Sequence, residues 1–122
     1  MAKSKAPSAS GMLAEIIIRG IQEKKGLEIV SIDLRELKNA ISEYFVICHG
    51  TSRTHVEALA ESVEKEVKTA IGTNPWHAEG FENSEWILLD YADVVVHIFQ
   101  ESKRRFFNLE GLWADARQTT IA

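Results

Sequence analysis

A single cysteine, Cys48, among 122 residues cannot close an internal disulfide. No covalent framework therefore stands in for a hydrophobic core, and a reducing compartment fits best. Proline is equally scarce, with two residues, which excludes collagen-like and proline-rich spacer sequences. No apolar run approaches the roughly 20 residues that a bilayer span demands. The opening MAKSKAPSAS has two lysines but no apolar segment of a secretory signal. These absences together lead to the expectation of a cytoplasmic protein without membrane association. Basic charge is also short: 14 Lys and Arg against 18 Asp and Glu give a formal net charge of -4. The whole-molecule field repels a phosphate backbone, so few or no direct RNA contacts are expected.

The chain has the length of one ordinary domain, and its 45% hydrophobic content is that of a folded protein. Residues 1–10 read as a disordered tail and residues 11–122 as a single domain. No internal repeat or low-complexity block interrupts it.

Beyond the tail, Leu13, Ile16, Ile17, Gly20 and Ile21 fall three and four apart. This spacing predicts an amphipathic helix capped at Ser10 and stopped at Gly26. LEIVSIDL, residues 27–34, alternates with Val30, Ile32 and Leu34 on one side, as a half-buried strand does. EYFVICHG runs from Tyr44 to Cys48 without a polar break, which predicts a central strand covered on both faces. Val56, Leu59, Ala60, Val63, Val67 and Ile71 then keep helical spacing, with Thr51 or Ser52 as cap and Gly72 as terminator. Glu61 with Lys65 and Glu64 with Lys68 are ordered to pair on its solvated face. NPWHAEG supplies a short strand, SEWILLD and DVVVHIF supply two more, and Phe106, Leu109, Leu112 and Trp113 are expected to fold as helical turns against the core. The predicted class is α/β or α+β, a mixed sheet flanked by helices.

EWILLDYADVVVHIFQ, residues 85–100, is the most apolar stretch, yet Asp90 and Asp93 interrupt it. A hairpin with Tyr91 and Ala92 at its tip puts Ile87, Leu89, Val94, Val96 and Ile98 on one face, all aliphatic and suited to meet helices. The other face holds Trp86, Leu88, Asp90, Val95 and His97, too polar for deep burial and too apolar for an ordinary wet surface. It has the character of a partner-binding surface. The same register sets Asp90 opposite Asp93, an unfavourable pairing unless the loop is wider or a cation lies near. Two readings of the aspartates stand: turn residues that bond nearby amides, or part of a docking site.

Catalytic readings find less support. HGTS, at 49–52, places a glycine and hydroxyls between a strand and a helix, like the phosphate-gripping turn of nucleotidyltransferases. Those enzymes also need two carboxylates one residue apart on the following strand to hold metal. Here Glu79, Glu82 and Glu85 lie three apart, so neither a catalytic nor a metal site is expected. His49, His55, His77 and His97 lack ligand spacing. Cys48 lies mid-strand with no base beside it and is read as core.

EYFVICHGTSRTHVEALAESV, then Glu79 and Gly80, then EWILLDYADVVVHIFQ and ESKRRFFNLEGLW, make an ordered series of motifs that resembles the ribosome silencing factor family, the Iojap-like proteins. The resemblance runs from the first helix to Trp113. It implies a nucleotidyltransferase-like fold lacking the catalytic carboxylate pair, no enzyme activity and no cofactor. It further implies binding to the large ribosomal subunit through its fourteenth protein, with small-subunit joining blocked sterically and translation lowered in nutrient shortage. By similarity the partner surface includes Trp86, Leu88, Asp90 and Tyr91, with Asp93, Val95 and His97 beside them. His49 stands where a small hydroxyl residue is usual, Ala92 where glycine is usual and Glu43 where aspartate is usual. Two other outcomes remain open: a nucleotide-binding protein with residual transferase character, and a homodimer formed through the same sheet face.

Overall fold

The structure, a computed structural model, describes residues 8–121. Residues 1–7 of the expected tail lie outside the described residues, whereas Ala9 and Ser10 belong to the first helix. Ser8 rather than Ser10 is its cap, accepting a hydrogen bond from the Gly11 amide at 3.0 Å. Helix α1 spans Ala9–Glu23 and buries Ile16, Ile17, Gly20 and Ile21 of the predicted stripe, with Leu13 half-buried and Ala14 buried beside them. Ser10, freed from capping, is buried and donates its hydroxyl to Glu43 across the fold.

Six strands follow in one sheet: β1 Leu27–Asp33, β2 Tyr44–Gly50, β3 His77–Glu79, β4 Trp86–Asp90, β5 Val94–Gln100 and β6 Arg117–Ile121. Their order is β3-β4-β5-β2-β1-β6, with β2 and β5 parallel and every other neighbouring pair antiparallel. Helix α2, Arg53–Ile71, is capped by Ser52 and closed by Gly72 in the left-handed conformation at φ 69°. The short α3 (Glu101–Phe107) and α4 (Leu109–Leu112) lead into β6. The expected helical tail is thus corrected at its end, where the last described residues form an edge strand paired with β1. RQTTI has no apolar alternation to announce it, because an edge strand with exposed faces needs none.

One sheet face carries the larger core, in which Val46, Cys48, Ile87, Leu89, Val94, Val96 and Ile98 meet α1 and α2. The fully buried Leu59 and Val63 of α2 each contribute roughly 1.5 to 3 kcal/mol by leaving water. Gly20 lets the helices approach closely, since a Cβ there would lie 2.9 Å from the Val63 Cα, and Ser62 donates to the Gly20 carbonyl at 2.7 Å. Cys48 is fully buried in this core, and burial pushes its thiol up to about 12. On α2 neither expected Glu–Lys pair closes; Arg53 with Glu57 and Arg19 with Glu66 are the ion pairs present there among the described residues.

The opposite face carries a smaller core of Ile32, Leu34, Ile47, Phe99 and Leu109, roofed by Phe45, Trp86 and Trp113. Leu109 and Trp113 pack as expected, but Phe106 and Leu112 do not: they are 78% and 73% exposed.

Candidate partner-docking face

The β4–β5 register is Trp86 with Phe99, Leu88 with His97 and Asp90 with Val95. The turn is therefore displaced by one residue from the expected one. Asp90 faces Val95, not Asp93, so no like-charge pairing arises. Tyr91 instead bonds its amide to the Val94 carbonyl at 2.9 Å, and the Asp93 amide returns to the Tyr91 carbonyl at 2.9 Å. Ala92, with φ 73°, is the centre of that three-residue γ-turn. Asp90 Oδ1 accepts the Ala92 amide at 2.7 Å, and the segment before β2 grips the corner from below through Ser42 and the Glu43 and Tyr44 amides. Both aspartates thus serve the turn, Asp90 by its side chain and Asp93 by its carbonyl.

Ala92 occupies a conformation that disfavours a Cβ, so Ala92→Gly is expected to stabilise the protein. Relief of left-handed strain, about 1 to 2 kcal/mol, exceeds the entropy that glycine adds to the unfolded chain, leaving about 0.5 to 1 kcal/mol. The midpoint of urea unfolding reads this gain, and an unchanged or lower midpoint would refute it.

The displaced turn reassigns Tyr91. Its ring lies in the larger core, and its hydroxyl is buried without a hydrogen-bond partner among the described residues. Burial raises its pKa, with the Glu64 carboxylate adding to the effect. Tyr91, expected at the hairpin tip, thus lies on the helix side of the sheet. Val95 and His97 do lie on the Trp86 face, but they are buried rather than open. Trp86, Leu88 and Asp90 remain half-buried there, and Asp93 is exposed at the corner.

His97 lies within an aromatic cluster. Trp86 stacks on Phe99 at 4.9 Å and meets Phe107 at 4.7 Å, and Phe106 sits edge-on to Phe107 at 5.1 Å. The rings grade from a buried Phe99 to a nearly bare Phe106. The Trp86 indole N–H donates to His97 Nδ1 at 3.1 Å, and Phe45 approaches the His97 ring edge-on at 4.7 Å. Since Nδ1 accepts, Nε2 carries the proton of neutral His97, and it is buried without a hydrogen-bond partner. On the outer side, β3 extends the same face: His77 pairs with Asp90 and Glu79 with Leu88, and His77 Nε2 lies 2.7 Å from Glu79 Oε2. The docking face expected from sequence did not include Phe107, His77 or Glu79. Phe107 was hidden because it comes from a different element, and the β3 residues because a three-residue strand has too few positions to reveal alternation.

Burial pushes the His97 pKa down to about 4. An unfolded histidine takes its proton near pH 6.5. Between those values the unfolded chain holds more protons than the folded one, so stability falls as pH falls from about 6.5 to about 4. Replacing His97 by Phe is expected to flatten this part of the profile, read as the difference between wild-type and variant urea midpoints at pH 7 and pH 5. An equal decline in both would place the acid sensitivity elsewhere.

At the other end of the sheet the HGTS turn is already filled. His55 Nδ1 accepts the Thr51 amide at 3.0 Å, and its Nε2 donates to the Lys24 carbonyl at 2.8 Å. The amide that would grip a phosphate is thus spent on the chain's own imidazole. Among the described residues, Glu28, His49 and Glu101 come near enough to suggest a metal. Arg105 already binds both carboxylates at 3.0 Å, and Arg104 donates to His49 Nδ1 at 2.9 Å. Burial first, and the Arg104 charge second, lower the His49 pKa. Both carboxylates and the imidazole of this cluster are thus engaged by the chain's own guanidinium groups. Arg104, although charged and near a helix end, is among the most buried side chains of the protein.

The fold and this face define an α+β domain with a mixed six-stranded sheet flanked by helices, whose β3 and β4 carry no two carboxylates one residue apart. The chain belongs to the ribosomal silencing factor family: the family model described as ribosomal silencing factor during starvation matches residues 6–122. It is 36% identical over 104 residues to a ribosomal silencing factor of Halalkalibacterium halodurans, covering 85% of this chain and 87% of that one. A Chromobacterium violaceum protein of known crystal structure superposes with a TM-score of 0.82 at 29% identity, covering 94% of each chain. A mouse protein named for mitochondrial assembly of the ribosomal large subunit is 31% identical over 74 residues, covering 59% of this chain and 32% of that one. Among the described residues no helix is long and apolar enough to cross a membrane.

Proposed function

We propose that this protein docks on the large ribosomal subunit, chiefly on its fourteenth protein, and blocks small-subunit joining by occupying that surface, lowering translation when nutrients are short. It acts in the cytoplasm, by steric exclusion and without catalysis. The observation that carries the reading is the β4 face, where the half-buried Trp86 and Leu88 lie beside the carboxylates of Asp90 and Glu79. An aromatic anchor with an acidic rim suits a basic protein surface, the acids speeding encounter and the rings supplying affinity. The family's name, and the large-subunit assembly named for the mouse relative, support the choice of partner.

Helix α3 favours a protein over RNA as the principal contact. Lys103 lies 3.7 Å from Glu85, Arg104 binds Glu110, and Arg105 binds Glu28 and Glu101. Its cations are thus matched by carboxylates and leave little field for phosphates. Nucleotide binding loses its footing with the His55-filled turn. A homodimer through the same face would compete with docking and would appear as a doubled mass in light scattering.

Co-sedimentation with isolated large subunits, followed by a subunit-joining assay, tests the proposal. Binding at micromolar concentration together with fewer joined ribosomes is expected. Absence of binding would overturn it.

A further inference from the structure

Beside Trp86, at the end of β4 away from Asp90, a groove of about 240 Å³ is lined by Gly80, Glu82, Glu85, Trp86, Lys103 and Phe107. Its rim, the loop from β3 to β4, is unusually constrained. Gly80 has φ 96°, and a Cβ there would lie 2.0 Å from the Trp86 carbonyl oxygen, so only glycine lets the loop cross the strand. Ser84 has φ 55° although it carries a side chain. Such a conformation is costly for a residue with a side chain and persists only where the surroundings over-determine it. They do so here: Ser84 is fully buried and donates to Glu57 at 2.7 Å. Arg53 donates to the Glu82 carbonyl at 2.8 Å, and the Gln100 side chain donates to the Ser84 carbonyl at 3.0 Å. The rim is therefore built before any partner arrives, which lowers the ordering cost of binding.

Within this rim acidic charge exceeds basic, Glu82 and Glu85 against Lys103, and the ion pair of Lys103 with Glu85 is loose. Lys103 Nζ stays 3.7 Å from Glu85, too far for a hydrogen bond, and both side chains are well exposed. Among the described residues Glu82 has no ion-pair partner. The groove thus already attracts a cation of the chain itself, and holds it loosely. Its other wall is aromatic, formed by Trp86 and the 42% exposed Phe107. Two carboxylates repel phosphate and nucleic acid, while the rings offer a flat apolar surface. A planar guanidinium fits both demands, since it stacks on rings and bonds carboxylates through several N–H donors, whereas an ammonium is a strongly hydrated point charge.

We propose that this groove receives one arginine side chain of the docked protein, its guanidinium between Glu82 and Glu85 and its methylenes against Trp86 and Phe107. The inference rests on the docking reading above and deepens it: the fixed rim selects arginine, and Lys103 holds the position until arginine displaces it.

Two measurements decide it. The first follows the Trp86 indole N–H and the amides of Gly80 and Glu85 by nitrogen–proton correlation spectra, as N-acetyl-arginine amide or its neutral counterpart N-acetyl-citrulline amide is added. Shifts confined to the groove with arginine, absent with citrulline and absent in the Glu82→Gln, Glu85→Gln double variant, are expected. Equal shifts with both probes, or none near the groove, would overturn the proposal. The second measures large-subunit binding of the double variant across salt concentrations. About tenfold weaker binding with a shallower salt dependence is expected, because charge contacts carry that dependence. Unchanged affinity and slope would sink the groove while leaving the docking face intact. If wild-type protein fails to bind subunits, the functional reading falls, and the probe titration still decides the groove by itself.

Discussion

Arg104→Met is expected to lower stability by about 3 to 5 kcal/mol, the cost of removing one partner of a buried ion pair. Arg104 is 2% exposed, and its guanidinium joins four segments. Nε and Nη2 donate to Glu110 Oε2 at 3.0 and 2.6 Å, Nη1 donates to His49 Nδ1 at 2.9 Å, and Nη1 reaches the Leu27 carbonyl at 3.3 Å. Methionine keeps much of the length, so the loss reports unpaired polar groups more than an empty cavity. Glu110, about a quarter exposed, would keep a carboxylate that water only partly solvates. By contrast Arg105→Ala should change stability by less than about 1 kcal/mol, because its partners Glu28 and Glu101 are exposed. Adding Glu110→Gln to Arg104→Met should restore part of the loss, since it removes the orphaned charge. Urea unfolding of the three variants checks the set. A single Arg104→Met variant within about 1 kcal/mol of wild type would show that the network is dispensable.

The same residue shows where sequence reading ends. The spacing from Val56 to Val67, with Ser52 before it and Gly72 after it, defines α2 because its periodicity, cap and terminator all agree. Arg104 has no such internal signal. Its burial depends on His49 at the end of β2 and on Glu110 in another helix, separated from it by 55 and 6 residues. Charged residues near a helix end look alike in sequence whether solvated or enclosed. The hairpin fails more narrowly: alternation assigns the aliphatic face correctly, but alanine argues against a positive φ, and the turn that forms needs one at Ala92. Moving the tip by one residue draws Tyr91 out of the turn and into the ladder, where alternation with Ile87 and Leu89 sets it on the helix side. Trp86, Leu88 and Asp90 keep their shared face, since alternation along a single strand does not depend on where its turn lies.

Trp86→Ala is expected to weaken binding to large subunits by about thirtyfold, the loss of about 2 kcal/mol typical of a buried aromatic anchor. The effect has two sources. Trp86 supplies ring surface to a partner, and it also holds Phe107 at 4.7 Å and caps His97 through its indole N–H. Truncation therefore loosens the far end of α3 as well as removing a contact, and some loss of stability accompanies the loss of affinity. Two companions separate these effects. Leu88→Ala, one alternation step along the same strand and without a ring in the stack, should weaken binding with little change in unfolding. Phe106→Ala, at the bare outer end of the ring series, should leave stability unchanged and weaken binding only if the partner covers α3. Co-sedimentation of the folded variants across a concentration series reads all three. If Trp86→Ala and Leu88→Ala both bind as wild type does, the docking face lies elsewhere on the domain. If both weaken while Phe106→Ala does not, the partner is confined to the β4 side of Phe107, and the anchor is the strand rather than the helix.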